Sequence, residues 1–263
     1  MSFKHIISRD NAVFKHLKRI ADNARDRKRE SMTLLDGVHL IEAYLEVFGE
    51  PELLIIPEGK SSHEATILVQ QLEDVNTVMF PTLMFAELTP VATSTGVLAL
   101  VKIPELQAPE QIDFALMLED IQDPGNMGSI LRTAAAAGVQ QVYLSKGCTD
   151  VWSPKALRGG QGAQFVLPVS SETDLVEVLQ RFDGVSYAMM MDGESLYEQN
   201  LSAKCLFVVG NEGAGLSSKL LEVSHKKISI PMAHTQTLAL ESLNAAAATA
   251  VALFECKRQK TLN

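Results

Sequence analysis

Residues 114–133 read FALMLEDIQDPGNMGSILRT. The uninterrupted apolar run Phe114–Leu118 has the pattern of a strand buried on both faces. Pro124-Gly125 forces a turn, and Asn126 can cap a helix over 128–137. Such a helix start presents free N–H groups and the positive end of the helix dipole, which favour an anion. Arg132 falls about one and a half turns into that helix, within reach of a bound phosphate. A plain capped helix bearing a surface arginine would read the same. Strand, Gly-containing polar loop and helix in this order form the repeating unit of a parallel α/β sheet.

The rest of the second half repeats the alternation. Strand patterns fall at Gln141–Leu144, Phe165–Pro168, Ser186–Met191, Leu206–Val209 and Lys227–Ile230, and helical ones at 173–181, 216–223 and 242–258. Met189-Met190-Met191 reads as strand core. In parallel sheets, ligands bind on the loops that follow the carboxyl ends of the strands. Two further clusters fall at such positions. Gly210-Asn211-Glu212-Gly213-Ala214-Gly215-Leu216-Ser217 follows the apolar run CLFVV, and its glycines let a ligand approach the main chain. Ile230-Pro231-Met232 is followed by Ser242-Leu243-Asn244 at the head of an Ala-rich helix, which Ser242 or Asn244 can cap.

The first half has strand patterns at Met32–Leu35, Leu53–Ile56, Thr77–Phe80 and Val97–Val101, separated by helical ones at 38–47, 63–72 and 82–88. Asp10 can cap a first helix over 11–29, with Val13, Phe14, Leu17, Ile20 and Ala21 on one face. The aperiodic, Pro-containing stretch KIPELQAPEQID, 102–113, reads as a linker. The expected division is therefore 1–102, a linker over 103–113, and 114–263.

The net charge of -9 argues against a nucleic-acid binder until its distribution is read. Residues 1–30 hold nine Lys/Arg against four acids, and all the remaining excess is acidic. A basic arm on an acidic body can present a phosphate-binding face, and Arg25, Arg27, Lys28 and Arg29 are its candidates. Other chemistries lack their signatures. The glycine order GxxGxG is not the GxGxxG of a dinucleotide site, and there is no GxxxxGK[ST] loop or GxSxG elbow. The six histidines show no metal-ligand spacing, so no metal is expected. Cys148, Cys205 and Cys256 lie far apart, as in a reduced cytoplasmic protein. The apolar tract Ser242–Phe254 falls short of the roughly 18–20 residues of a membrane span.

QDPGNMGSILRTAAAAG, SPKALRGGQGAQFVLP, FVVGNEGAGLS and ISIPM with ESLNAAAATAVALFE, in this order, resemble the SpoU-type (TrmH-like) RNA ribose methyltransferases of the SPOUT superfamily. The first half is similar, more weakly, to the ribosomal-protein-like substrate-binding domain of that family. The resemblance implies an S-adenosyl-L-methionine-dependent methyl transfer to a ribose 2′-hydroxyl of ribosomal or transfer RNA. It implies a homodimer and an α/β domain whose C-terminal part is threaded as a trefoil knot. Asn126, Arg132, Glu212, Ser242 and Asn244 match its catalytic positions, and Gly210, Asn211, Ile230 and Leu243 its cofactor-binding ones. Three stretches depart from its pattern: Arg158-Gly159-Gly160-Gln161, Asp36-Gly37, and the long loop Ala233–Glu241. An inactive RNA-binding factor of the same fold and a nucleotide-dependent dehydrogenase are the competing readings.

Overall fold

The computed structural model describes residues 3–59, 61–89, 94–233 and 242–261. In chain order the elements are β1 (Lys4–His5), α1 (Ala12–Asp22), α2 (Ala24–Glu30), β2 (Met32–Asp36), α3 (Val38–Phe48), β3 (Leu53–Pro57), α4 (His63–Gln71), β4 (Thr77–Phe80), α5 (Thr82–Ala86) and β5 (Leu98–Lys102). They continue as β6 (Phe114–Leu118), α6 (Pro124–Ala137), β7 (Gln141–Leu144), α7 (Pro154–Gly160), β8 (Val169–Ser170), α8 (Leu175–Arg181), β9 (Val185–Ser195), β10 (Cys205–Val209), α9 (Ser218–Val223), β11 (Lys226–Ser229) and α10 (Ala245–Thr261).

The chain divides into two compact units. The first comprises Met1–Glu105 together with Asp150–Phe165. Its five-stranded mixed sheet has the order β1-β4-β3-β5-β2, with β5 antiparallel to both neighbours. Strand alternation sends successive residues to opposite faces. Leu34, Ile55, Leu98 and Leu100 meet Phe14, Leu17 and Ile20 of α1 on one face. Leu35, Leu54, Ala99 and Val101 meet Ile41 and Tyr44 of α3 and Leu68 of α4 on the other.

Asp150–Phe165 lies outside the expected boundary of this unit, and aromatic packing explains its return. The Phe165 ring lies 5.6 Å from Tyr44 and 6.0 Å from Phe48, edge-on to both. Trp152 stacks on Phe165 at 6.5 Å. The strand expected at Phe165–Pro168 starts later, at Val169, because Ala163–Phe165 forms a 3-10 turn.

The helix expected over 11–29 is two helices, capped by Asn11 rather than Asp10. Asn23 breaks it: in an extended conformation, its side chain accepts from Arg25 N at 2.8 Å and so starts α2 afresh. The break turns Arg27 inward.

The second unit, Leu106–Thr149 with Val166–Asn263, holds a six-stranded sheet of order β11-β9-β10-β6-β7-β8. Every pairing in it is parallel. Central β6 and β10 are buried along their whole length, as their apolar runs require. Helix α10 packs on α6 and β10. Its Cys256 Sγ lies 3.2 Å from Cys205 Sγ, both thiols being buried and free. Met189–Met191 is not core. Met189 and Met190 are half-buried and Met191 is 67% exposed, because β9 bulges opposite the register shift at Lys227/Ile228.

Candidate active site

The loops leaving β6 and β10 lie side by side at the carboxyl end of the sheet, because these strands are paired in register as far as Leu118 and Val209. Asp123 caps α6, its Oδ1 accepting from Asn126 N at 2.8 Å. Asn126 is therefore inside the first turn and not the cap expected for it. Pro124 at the first helical position is the sequence signal that favours Asp123.

This placement frees the Asn126 side chain for another task. Its Nδ2 donates to Glu212 Oε1 at 3.1 Å, and its Oδ1 accepts from Asn244 Nδ2 at 3.1 Å. Glu212 also accepts from Gln122 N and Asp123 N, each at 3.3 Å. Asn244 caps α10, its Oδ1 accepting from Ala246 N at 2.9 Å and Ala247 N at 3.3 Å. One hydrogen-bonded series thus joins residues from all three sequence clusters. The two amides cannot titrate, so Glu212 is the ionisable member of the Asn244–Asn126–Glu212 side-chain series.

Desolvation pushes the Glu212 carboxyl up, but the Asn126 amide and the N–H groups of Glu212 itself, Gln122 and Asp123 outweigh it, so its pKa lies below the ordinary 4.5. A depressed carboxyl stabilises the fold fully above its unfolded value, and that contribution is lost as pH falls through the folded one. The Asn126 side-chain amide resonances should therefore follow a titration whose midpoint lies below 4.5. A midpoint above 4.5 would contradict this assignment.

Asn211 uses its whole side chain inside the protein. Its Nδ2 donates to Asp120 O at 2.7 Å, and its Oδ1 accepts from Gly213 N and Ala214 N, both at 2.9 Å. Its main chain is engaged as well, so Asn211 shapes the loop. The loop closes where Asn211 and Gly215 exchange main-chain bonds of 3.1 and 2.9 Å. Gly210 is required at its mouth, since a Cβ there would stand 2.4 Å from the Gly215 carbonyl carbon. Gly210→Ala should open this closure and lower stability by about 1–3 kcal/mol. A denaturation midpoint equal to the wild type would refute the prediction.

Other expected residues stay outside the series. Arg132 is exposed on α6, without a side-chain partner among the described residues. Ser242 and Leu243 are exposed just before α10, and Ile230 is half-buried just past β11. Most of the Ala233–Glu241 loop, His234–Glu241, lies outside the described residues. Glu119, which sequence reading passed over, accepts from Ser217 N at 2.7 Å.

In the first unit, Arg27 does not fit a phosphate-contact role. It is 4% exposed. Its Nε meets Asp150 Oδ2 at 2.6 Å, and its Nη1 donates to Ile20 O at 2.6 Å and Ala21 O at 2.9 Å. It holds the end of α1 instead. Arg29 pairs with Asp26 and Glu30. Arg25 and Lys28 face solvent, as does Arg19. Among the described residues no group of His, Cys, Asp or Glu could hold a metal.

A profile of the family described as SpoU rRNA Methylase matches residues 113–254. The chain is 31% identical to an uncharacterized tRNA/rRNA methyltransferase of Synechocystis sp., over 97% of this chain and 94% of that protein. It is 30% identical to the 23S rRNA (guanosine(2553)-2'-O)-methyltransferase RlmP of Bacillus subtilis, over 97% and 99%. The crystal structure of the SpoU methyltransferase AviRb from Streptomyces viridochromogenes, in complex with AdoMet, is similar with a TM-score of 0.78 and 27% identity, over 96% of this chain and 100% of that one. A match of this extent, falling on the loops that the Asn244–Asn126–Glu212 series ties together, shows that the chain belongs to the SpoU rRNA methylase family.

Proposed function

We propose that this protein transfers a methyl group from S-adenosyl-L-methionine to a ribose 2′-hydroxyl of structured RNA, ribosomal RNA before transfer RNA. The observation behind this reading is the hydrogen-bonded meeting of Asn126, Glu212 and Asn244 where the β6 and β10 loops adjoin. The relative from Bacillus subtilis is named for that reaction on 23S rRNA.

The residues present fit the cofactor. Leu243 offers a 39% exposed apolar side chain, and the Glu212 carboxylate, held below its ordinary pKa by its N–H donors, suits a cation. Gly210, Ile230 and Leu243, beside Asn211, would hold it. The bound cofactor supplies a methyl group made electrophilic by its sulfonium. The chain must then position and activate the 2′-hydroxyl, a weak nucleophile. Arg132 holds the neighbouring phosphate and stabilises the developing alkoxide. Ser242, with its hydroxyl at the head of α10, orients the ribose.

The first unit serves as the RNA-binding domain, through Arg19, Arg25 and Lys28 on α1 and α2. Arg25→Glu with Lys28→Glu should weaken RNA binding and flatten its salt dependence by about two phosphate contacts. An unchanged salt slope in filter binding would assign these charges to solubility alone. The working protein is a cytoplasmic homodimer. Phe254, 46% exposed on α10, supports a second copy meeting that helix. The second unit is threaded as a trefoil knot, a reading supported by the return of the chain from edge strand β11 to α10 against α6. Among the described residues no helix is long and apolar enough to cross a membrane.

The test is methyl transfer from labelled S-adenosyl-L-methionine to RNA, followed by alkaline hydrolysis. A 2′-O-methyl group blocks cleavage at its own linkage, so label should survive in dinucleotides. Label released in mononucleotides would mean base methylation and overturn the reading.

A further inference from the structure

We infer that Glu119 is a positioning residue for the cofactor site, bracing the exit of the loop that carries Glu212. The inference rests on the function proposed above. That loop, residues 210–217, contains three glycines and has little stiffness of its own. Gly215 takes a φ of +70°, a conformation that other residues rarely adopt. Its entrance is fixed twice, by the pairing of β10 with β6 and by the Asn211 amide on Asp120 O. The closure between Asn211 and Gly215 fixes its waist.

At the exit Leu216 packs against the core cluster that holds Met117, Leu206 and Val208, and among the described residues one side-chain hydrogen bond ties its main chain to the sheet. Ser217 caps α9, so its own N–H falls outside the helical bonding pattern. Glu119 Oε2 accepts that N–H at 2.7 Å, a short bond to an ionised acceptor. Glu119 is in turn anchored to the sheet, its N donating to Val209 O at 2.9 Å one residue beyond β6. The carboxylate therefore transfers the rigidity of the β6–β10 ladder to the far end of the loop. Glu212, between the two fixed ends, is kept where Asn126 and the N–H groups of Gln122 and Asp123 reach it. Release of the exit should let Glu212 drift from these partners without exposing any part of the core.

The test compares the wild type with Glu119→Ala and Glu119→Gln. It measures backbone hydrogen exchange over 213–217 in ligand-free protein, calorimetric binding of S-adenosyl-L-methionine, and thermal melting. In Glu119→Ala, exchange over 213–217 should rise and cofactor affinity fall, each about tenfold, the scale of one hydrogen bond to a charged group. Its melting temperature should fall by no more than about 3–6 °C, the shift that a tenfold loss corresponds to. Glu119→Gln keeps an acceptor oxygen and should recover most of both effects. Unchanged exchange in Glu119→Ala would overturn the brace. A glutamine variant as impaired as the alanine one would also overturn it, by showing that charge rather than the bond to Ser217 matters. A wild type that binds no S-adenosyl-L-methionine would overturn the proposed function, and with it the link between this brace and the cofactor, whatever the exchange shows.

Discussion

Arg132→Ala should lower the rate of methyl transfer by about 10²–10³-fold, the scale of losing one preorganised charge donor at a reacting oxygen. Its affinity for S-adenosyl-L-methionine and its melting temperature should stay close to wild type. The expectation follows from placement. Arg132 is exposed on α6 and holds no other side chain among the described residues, so its removal leaves no partner stranded in the core. A guanidinium is a poor base, so the contribution expected of Arg132 is charge and geometry rather than proton removal. Arg132→Lys separates the two, keeping the charge and losing the planar fork. It should fall between alanine and wild type in single-turnover assays, and near-full turnover would refute a bidentate role.

Arg27→Ala should destabilise the first unit by about 3 kcal/mol, the lower end for breaking a largely buried ion pair. The Asp150 partner is 24% exposed, which keeps the expected loss at that end. The substitution also strips two carbonyls, Ile20 O and Ala21 O, of their donor at the end of α1. Arg27→Lys should recover little, because an ammonium cannot reproduce a fork that serves a carboxylate and two carbonyls together. The protein has a single tryptophan, Trp152, two residues from Asp150 and stacked on Phe165. Its fluorescence during denaturant unfolding reports this corner directly. A midpoint unchanged in Arg27→Ala would show the pair to be dispensable. Arg27→Glu would be a poor probe of RNA binding, because it would place an acid beside Asp150.

Strand positions were the most legible part of the sequence. Phe114–Leu118, Gln141–Leu144 and Thr77–Phe80 occur where their apolar pattern places them, since burial and alternation are local properties of the chain. The site was legible as three clusters, but the bonds among Asn126, Glu212 and Asn244 were not, because they span 86 and 118 residues of separation. Arg27 shows a different limit. Composition counts a positive charge without saying whether it faces water, and the inward turn of α2 depends on one asparagine cap at Asn23. Met189–Met191 shows a third. An apolar triplet reads as core unless a bulge lifts it out, and that bulge is set by the register of β11. The return of Asp150–Phe165 depends on aromatic contacts to α3 that no local signal announces.

That return has a consequence for how the protein is made. As the polypeptide leaves the ribosome, residues 1–105 emerge as a sheet still missing Phe165 from its aromatic cluster and Asp150 from beside Arg27. At synthesis rates of about 5–20 residues per second, these contacts must wait several seconds for the next sixty residues. By then β6, α6 and β7 of the other unit are already outside. The two units therefore mature in overlapping order rather than one after the other. A gene fragment ending near residue 105 would encode an N-terminal unit without its own closing piece.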